Sequence, residues 1–117
     1  MIRELEPYPY LKLYIAVRDD FPSNMVPTLI AHSMLSAHLI ATADADYIYR
    51  EWLVNSYRKV VVKVNEKEYN KILEDCPIIH QGSESNTFEG RLSSIVVAPV
   101  FSDRVPNVLK FAKLWKP

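Results

Sequence analysis

Three histidines, an Asp19-Asp20 pair and a run of hydroxyl side chains are the residues of this 117-residue chain that could move protons or hold an anion. Thr28, His32 and Ser36 recur every four residues, which puts them on one stripe of a helix whose remaining positions, among them Leu29, Ile30, Met34, Leu35, Leu39 and Ile40, are apolar. An imidazole on such a stripe is either a general base at a site or a core histidine bonded to backbone. His38 lies six positions on, about 120° around the helix, and His80 comes from a distant segment. No spaced ligand pair results, so the sequence implies no metal and no cofactor. Ser83, Ser85 and Thr87 alternate just after His80. The strand-turn-helix elbow of a serine nucleophile is missing there, so these hydroxyls read as loop side chains. Tyr47, Trp52, Tyr57, Phe111 and Trp115 are able to stack nucleobases, and at helical spacing they serve equally as packing residues.

Composition narrows the chemistry. The chain has two glycines, Gly82 and Gly90, where average usage of ~7% gives about eight, so glycine-rich phosphate loops are excluded. Fourteen basic and fourteen acidic side chains cancel, and no global field draws the protein to nucleic acid or an anionic membrane. The halves differ: residues 1–57 carry four basic and seven acidic side chains, a net of −3, whereas residues 58–117 carry ten and seven, a net of +3. Cys76 is the single cysteine, which fits a reducing compartment and a cytoplasmic location. The first residues lack the apolar core of a signal peptide, and no apolar run approaches the ~20 residues of a membrane span.

The elements that must position these residues follow from local pattern. Leu11 to Arg18 reads as a buried strand ended by Asp19-Asp20. Pro27 is suited to the first position of a helix through about Thr42, with Ser23 or Asn24 near enough to cap it, and the helix should be covered on most of its surface. Asp46 caps a second helix, Arg58 to Val64 is a strand, and Asn65 with Glu68 forms a capping box for a helix to Cys76. Pro77 to Gln81 and Arg91 to Val100 are further strands, and a last helix runs from about Val105 to Trp115. Between those strands both glycines are expected at positive φ. The order gives a single α/β domain over residues 1–117, a mixed sheet with helices on both faces. The end of the first strand then meets the start of the first helix, the usual ligand crevice of open α/β sheets.

Leu13-Tyr14-Ile15-Ala16-Val17-Arg18 with Asp19-Asp20, the helix holding Ile30-Ala31-His32-Ser33, the Lys59-Val60-Val61-Val62-Lys63-Val64 strand and Ile95-Val96-Val97-Ala98-Pro99 together resemble the type-2 peptidyl-tRNA hydrolases. The resemblance implies a four-stranded mixed sheet between helical layers, a homodimer, and action on the ester joining a peptide to tRNA. Ala31-His32 matches the family's Ala-His step. The family's lysine falls near Met25 and its glutamine near Leu29. Its aspartate falls at Gln81, its threonine at Ser85 or Thr87, and its Pro-Gly turn at Glu89-Gly90. An amide at Gln81 positions water where a carboxylate would deprotonate it. The expected reading is a divergent hydrolase of an acyl-tRNA or nucleotide ester, with His32, Asp20 and Gln81 as the catalytic group. Arg18, Asp19, Asn24, Thr28, Ser85 and Thr87 bind the ligand. The alternative is a non-catalytic protein, of viral or mobile-element type, that sequesters a nucleotide, a nucleotide second messenger or a short RNA. A third reading makes the apolar helix and residues 47–57 an interaction face.

Overall fold

A computed structural model describes residues 9–84 and 91–117. Strand β1 (Leu11–Arg18) leads through a 3-10 turn (Ser23–Met25) into helix α1 (Val26–Ala43) and then α2 (Tyr47–Asn55). Next come β2 (Arg58–Val64), α3 (Glu66–Asp75), β3 (Ile78–Glu84), β4 (Arg91–Phe101), a single turn α4 (Asn107–Lys110) and β5 (Lys113–Leu114). The sheet order is β3-β4-β1-β2-β5, with β1 parallel to β2 and the remaining pairs antiparallel.

Alternation along the strands sorts the core into two layers. Leu11, Leu13, Ile15 and Val17 of β1 pack with Val96 against Val26, Ala37, Ala41, Tyr49 and Trp52, the α1/α2 side. Tyr14 and Ala16, with Val62, Val64, Ile95 and Val97, pack against Tyr69, Ile72 and Leu109, the α3/α4 side. Each central strand is therefore buried on both faces, which is why its sequence is a nearly unbroken apolar run. Asn65 accepts from the Glu68 amide at 2.8 Å while Glu68 accepts from the Asn65 amide at 2.9 Å, the reciprocal box that starts α3.

Several expectations are corrected. The sheet has five strands, not four: the chain after α4 turns extended, Lys113–Leu114 pairs with β2, and the Trp115 amide donates to the Val61 carbonyl at 2.9 Å. This pairing gives the edge of β2 partners that a helix to Trp115 would have denied it, so the last helix shrinks to one turn. Helix α1 starts at Val26 with Pro27 behind it and no side-chain cap, and Asn24 lies exposed in the 3-10 turn. Nor is α1 covered on most of its surface. One stripe (Val26, Leu29, Ser33, Ala37, Ala41) is buried, while Leu35, Leu39 and Ile40 are exposed. Ser23–Ala43 is long and apolar enough to cross a membrane by length and composition alone, at mean hydropathy 1.3, although no apolar run of that size was expected. Its buried stripe rests on the sheet as a core helix does.

Gly82 provides a further correction. It sits inside β3, with no positive φ, whereas Gly90 lies outside the described residues. What Gly82 contributes is closeness: a Cβ there would meet the hydroxyl oxygens of Ser33 at 2.2 Å, Ser94 at 2.7 Å and Ser93 at 3.3 Å. The left-handed backbone is found at Ala45 (φ 56°) and Tyr57 (φ 66°) instead.

Candidate functional site

Two crossovers leave the sheet at neighbouring strand ends and go to opposite faces. After β1 the chain passes to α1 and α2 on one side; after β2 it passes to α3 on the other. They part at the carboxyl ends of β1 and β2, the place where open α/β sheets commonly hold ligands, and the Asp19 amide, hydrogen-bonded to the Val64 carbonyl at 2.8 Å, ties the two ends together.

On the α3 side of these strand ends a chain of polar contacts links four segments. The Arg18 guanidinium donates to Asp20 at 3.4 Å and to Glu66 at 3.2 Å, and it lies 5.3 Å from the Tyr69 ring centre. Arg91, at the start of β4, donates to the other Asp20 oxygen and lies over the Phe21 ring. Burial alone would push the Asp20 carboxyl up, but hydrogen bonds from Arg91 and Arg18 and their charges outweigh it and hold the carboxyl below its ordinary range. Tyr69, 2% exposed, donates its hydroxyl to the Gln81 side-chain oxygen at 2.9 Å. Burial pushes the Tyr69 phenol up to about 12 against the pull of Arg18, so it stays protonated and remains a donor. Its bond leaves the Gln81 amide N–H2 as the free end of that side chain.

The α1 side holds His32. It is exposed on α1 and lines a polar hollow of about 230 Å³ with Ser36, His80, Gln81 and Ser83. Beneath it, Ser33 and Ser94 share a hydrogen bond of 2.5 Å under Gly82. The two sides meet at β3. His80 pairs with Val96, whose side chain faces α1, while Gln81 pairs with Ile95, whose side chain faces α3.

The structure thus joins Arg18, Asp20 and Gln81 through Tyr69 and sets His32 across the β3 edge from them. Asp19 and Thr28 are exposed, on the turn after β1 and in the first turn of α1, and Asn24 is in the turn between. Ser85 and Thr87 lie outside the described residues. His38 turns away, its Nδ1 2.9 Å from the Tyr49 hydroxyl, in an aromatic cluster with Trp52. Burial raises the Cys76 thiol, and Asp75 adds to it, so the lone cysteine is a packing residue rather than a nucleophile.

Sequence reasoning missed Tyr69 and Arg91. Tyr69 carried a usable signal, because a tyrosine on the buried stripe of a polar helix needs a partner for its hydroxyl. Arg91 carried none, since it meets Asp20 across 71 positions.

The depressed Asp20 carboxyl has a consequence for stability. A folded-state value below the unfolded one stabilises above the unfolded pKa, and that contribution disappears as pH falls through the folded pKa. Thermal melts of the wild type and Asp20→Asn should therefore differ most near neutrality and converge as pH is lowered through the acid range. A gap independent of pH would mean that Asp20 acts by packing alone.

No family model matches the chain. It is similar to the peptidyl-tRNA hydrolase of Methanocaldococcus jannaschii, 27% identical over 114 residues, 89% of this chain and 99% of the relative. It is also similar to the peptidyl-tRNA hydrolase of Methanococcus vannielii, 26% identical over 110 residues, 86% of this chain and 95% of the relative. These relatives support a peptidyl-tRNA hydrolase-like family for this chain.

Proposed function

We propose that the chain is a hydrolase of an ester on tRNA, an acyl or peptidyl ester, or of a related nucleotide ester, working in the crevice at the end of β1 and the start of α1. The observation that carries this reading is the contact chain Arg91–Asp20–Arg18–Tyr69–Gln81, which gathers cations and a fixed amide donor at one sheet end, beside an exposed imidazole. His32 takes a proton from water as the water oxygen bonds to the ester carbonyl carbon. The Gln81 amide N–H2 orients that water, and Arg18 offers charge to the oxygen that becomes anionic. The carbon–oxygen bond to the ribose breaks, and the proton held by His32 goes to the leaving hydroxyl. Asp20, paired with two arginines, is a positioning carboxylate. Arg18 with Asp19, Asn24, Thr28, Ser85 and Thr87 forms the ligand-binding set. Homodimer formation through the exposed Leu35, Leu39 and Ile40 of α1 and a cytoplasmic location complete the reading.

Purified protein incubated with labelled acyl-tRNA should release free amino acid or peptide above a protein-free control. No release on aminoacyl-tRNA, peptidyl-tRNA or nucleotide esters would remove the hydrolase reading. One feature favours a binding protein instead: Gln81 is an amide and Asp20 is doubly paired, so neither is a ready base. Calorimetric binding of a nucleotide or RNA without turnover would establish that alternative.

A further inference from the structure

The two edges of the sheet are closed differently. On one side the chain supplies its own edge strand, β5, which spans two residues, carries Lys113 and pairs with β2. A strand so short, with Lys116 and Pro117 close behind it, is a poor template for further pairing. On the other side stands β3, seven residues that pair with β4 alone among the described residues. It reads Ile78-Ile79-His80-Gln81-Gly82-Ser83-Glu84, with no lysine or proline inside it and a carboxylate only at its last position. Nothing in that sequence guards the outer row of N–H and C=O groups against another extended chain.

The position of this edge gives it a use. Register against β4 shifts between Ile78 and His80 and again between Gly82 and Ser83, so His80-Gln81-Gly82 is the regular part, about 10 Å at strand spacing. The same three residues are a wall of the hollow that holds His32. Gly82 lets α1 come as close here as a missing Cβ allows, with the Ser33 hydroxyl directly over it and His32 next to Ser33 in the chain. The unpaired edge thus runs into the place where the proposed base works.

We infer that the outer edge of β3 seats the peptide part of the substrate. The two or three residues next to the ester lie extended along His80-Gln81-Gly82, add a strand to the sheet and bring the ester carbonyl into the hollow with His32. The chemistry of the substrate selects this occupant. Peptides carried on tRNA differ in their side chains and share their backbone, and a strand edge bonds to N–H and C=O groups whatever the side chains are. An ester of a single amino acid has no peptide bond to offer and is held less well. A second copy of the chain paired through β3 would fill the edge and shut the hollow, so it would compete with substrate.

The inference rests on the peptidyl ester proposed above, and two measurements keep the readings apart. In turnover assays KM should fall as the peptide is lengthened from aminoacyl-tRNA to the tripeptidyl ester, and level off beyond three residues. Methylating the peptide nitrogens one at a time gives the signature of a strand. Successive N–H groups of an added strand point toward β3 and away from it in turn. Neighbouring positions should therefore alternate, one raising KM about three- to tenfold, the worth of one hydrogen bond, and the next leaving it within twofold, with kcat unchanged in both. The second measurement needs no turnover. A tripeptidyl 3′-amide of 3′-amino-3′-deoxyadenosine has no ester to cleave; it should slow hydrogen–deuterium exchange in β3 and leave β2 and β5 as they were, with the same alternation in its affinity on methylation. Equal effects at neighbouring nitrogens, or exchange in β3 that ignores the amide, overturns the edge site. Protection of β3 without turnover of any ester counts against the hydrolase and leaves the edge site standing.

Discussion

Gly82→Ala is expected to destabilise the fold by about 2–3 kcal/mol, an appreciable part of the ~5–15 kcal/mol that holds a domain together. The alanine methyl would arrive 2.2 Å from the Ser33 hydroxyl oxygen and 2.7 Å from that of Ser94. Two responses are open. If the serines stay, atoms overlap well inside contact distance and β3 must move off α1. If Ser33 rotates, its 2.5 Å bond to Ser94 breaks and leaves the Ser33 hydroxyl, at 1% exposure, without that partner and Ser94 with only a 3.4 Å contact to Ser93, a cost of ~1–3 kcal/mol. Among the described residues no buried side-chain polar atom lacks a partner, so this cluster has no slack to begin with. Urea melts of Gly82→Ala, Ser33→Ala and the double variant will separate the two responses. The closest clash disappears with Ser33, so the double variant should be more stable than the sum of the single changes indicates. A Gly82→Ala midpoint within error of wild type would show that the three serines repack freely, and the close approach would lose its meaning.

That glycine also shows what a sequence conceals. Read alone, Gly82 suggests a turn, because freedom at positive φ is the commonest reason for glycine. Its real neighbours, Ser33 and Ser94, come from 49 positions before it and 12 after, and no local pattern encodes such a meeting. The elements whose evidence is local were legible: the apolar runs of β1 and β2, the Asn65–Glu68 box at α3, and the Asp46 side chain that accepts from the Tyr49 amide at 3.0 Å to start α2. Strand β5 was not, because Lys113–Leu114 is extended only through bonds to β2. Nor was the exposure of α1. Apolar side chains at Leu35, Leu39 and Ile40 report that the helix avoids charge, not which surface lies over it. At the candidate site, the sequence singled out His32, Asp20 and Gln81 as expectations, but Tyr69 and Arg91, which bond to Gln81 and Asp20, meet those partners only in three dimensions.

His32→Ala is expected to lower kcat for ester release by about 10²–10⁴-fold, the usual worth of a positioned general base and equivalent to ~2.7–5.4 kcal/mol of barrier. The size follows from the company His32 keeps. In the crevice Gln81 has no carboxylate to offer, and the Asp20 carboxylate is stabilised as an anion by two arginines, which weakens it as a proton acceptor. The imidazole is then the member of the proposed catalytic set whose chemistry suits a general base. Because His32 is exposed on α1, its replacement should shift the unfolding free energy by no more than ~0.5 kcal/mol, and urea melts of the same preparation would separate lost chemistry from lost fold. His80→Asn supplies the internal comparison, since both imidazoles line the same hollow but only His32 is assigned the proton. With His32 as the base, His80→Asn keeps kcat within a few fold of wild type while His32→Ala collapses it. The reverse pattern would move the base to β3, and equal, small losses would remove imidazole catalysis and return the crevice to binding without chemistry.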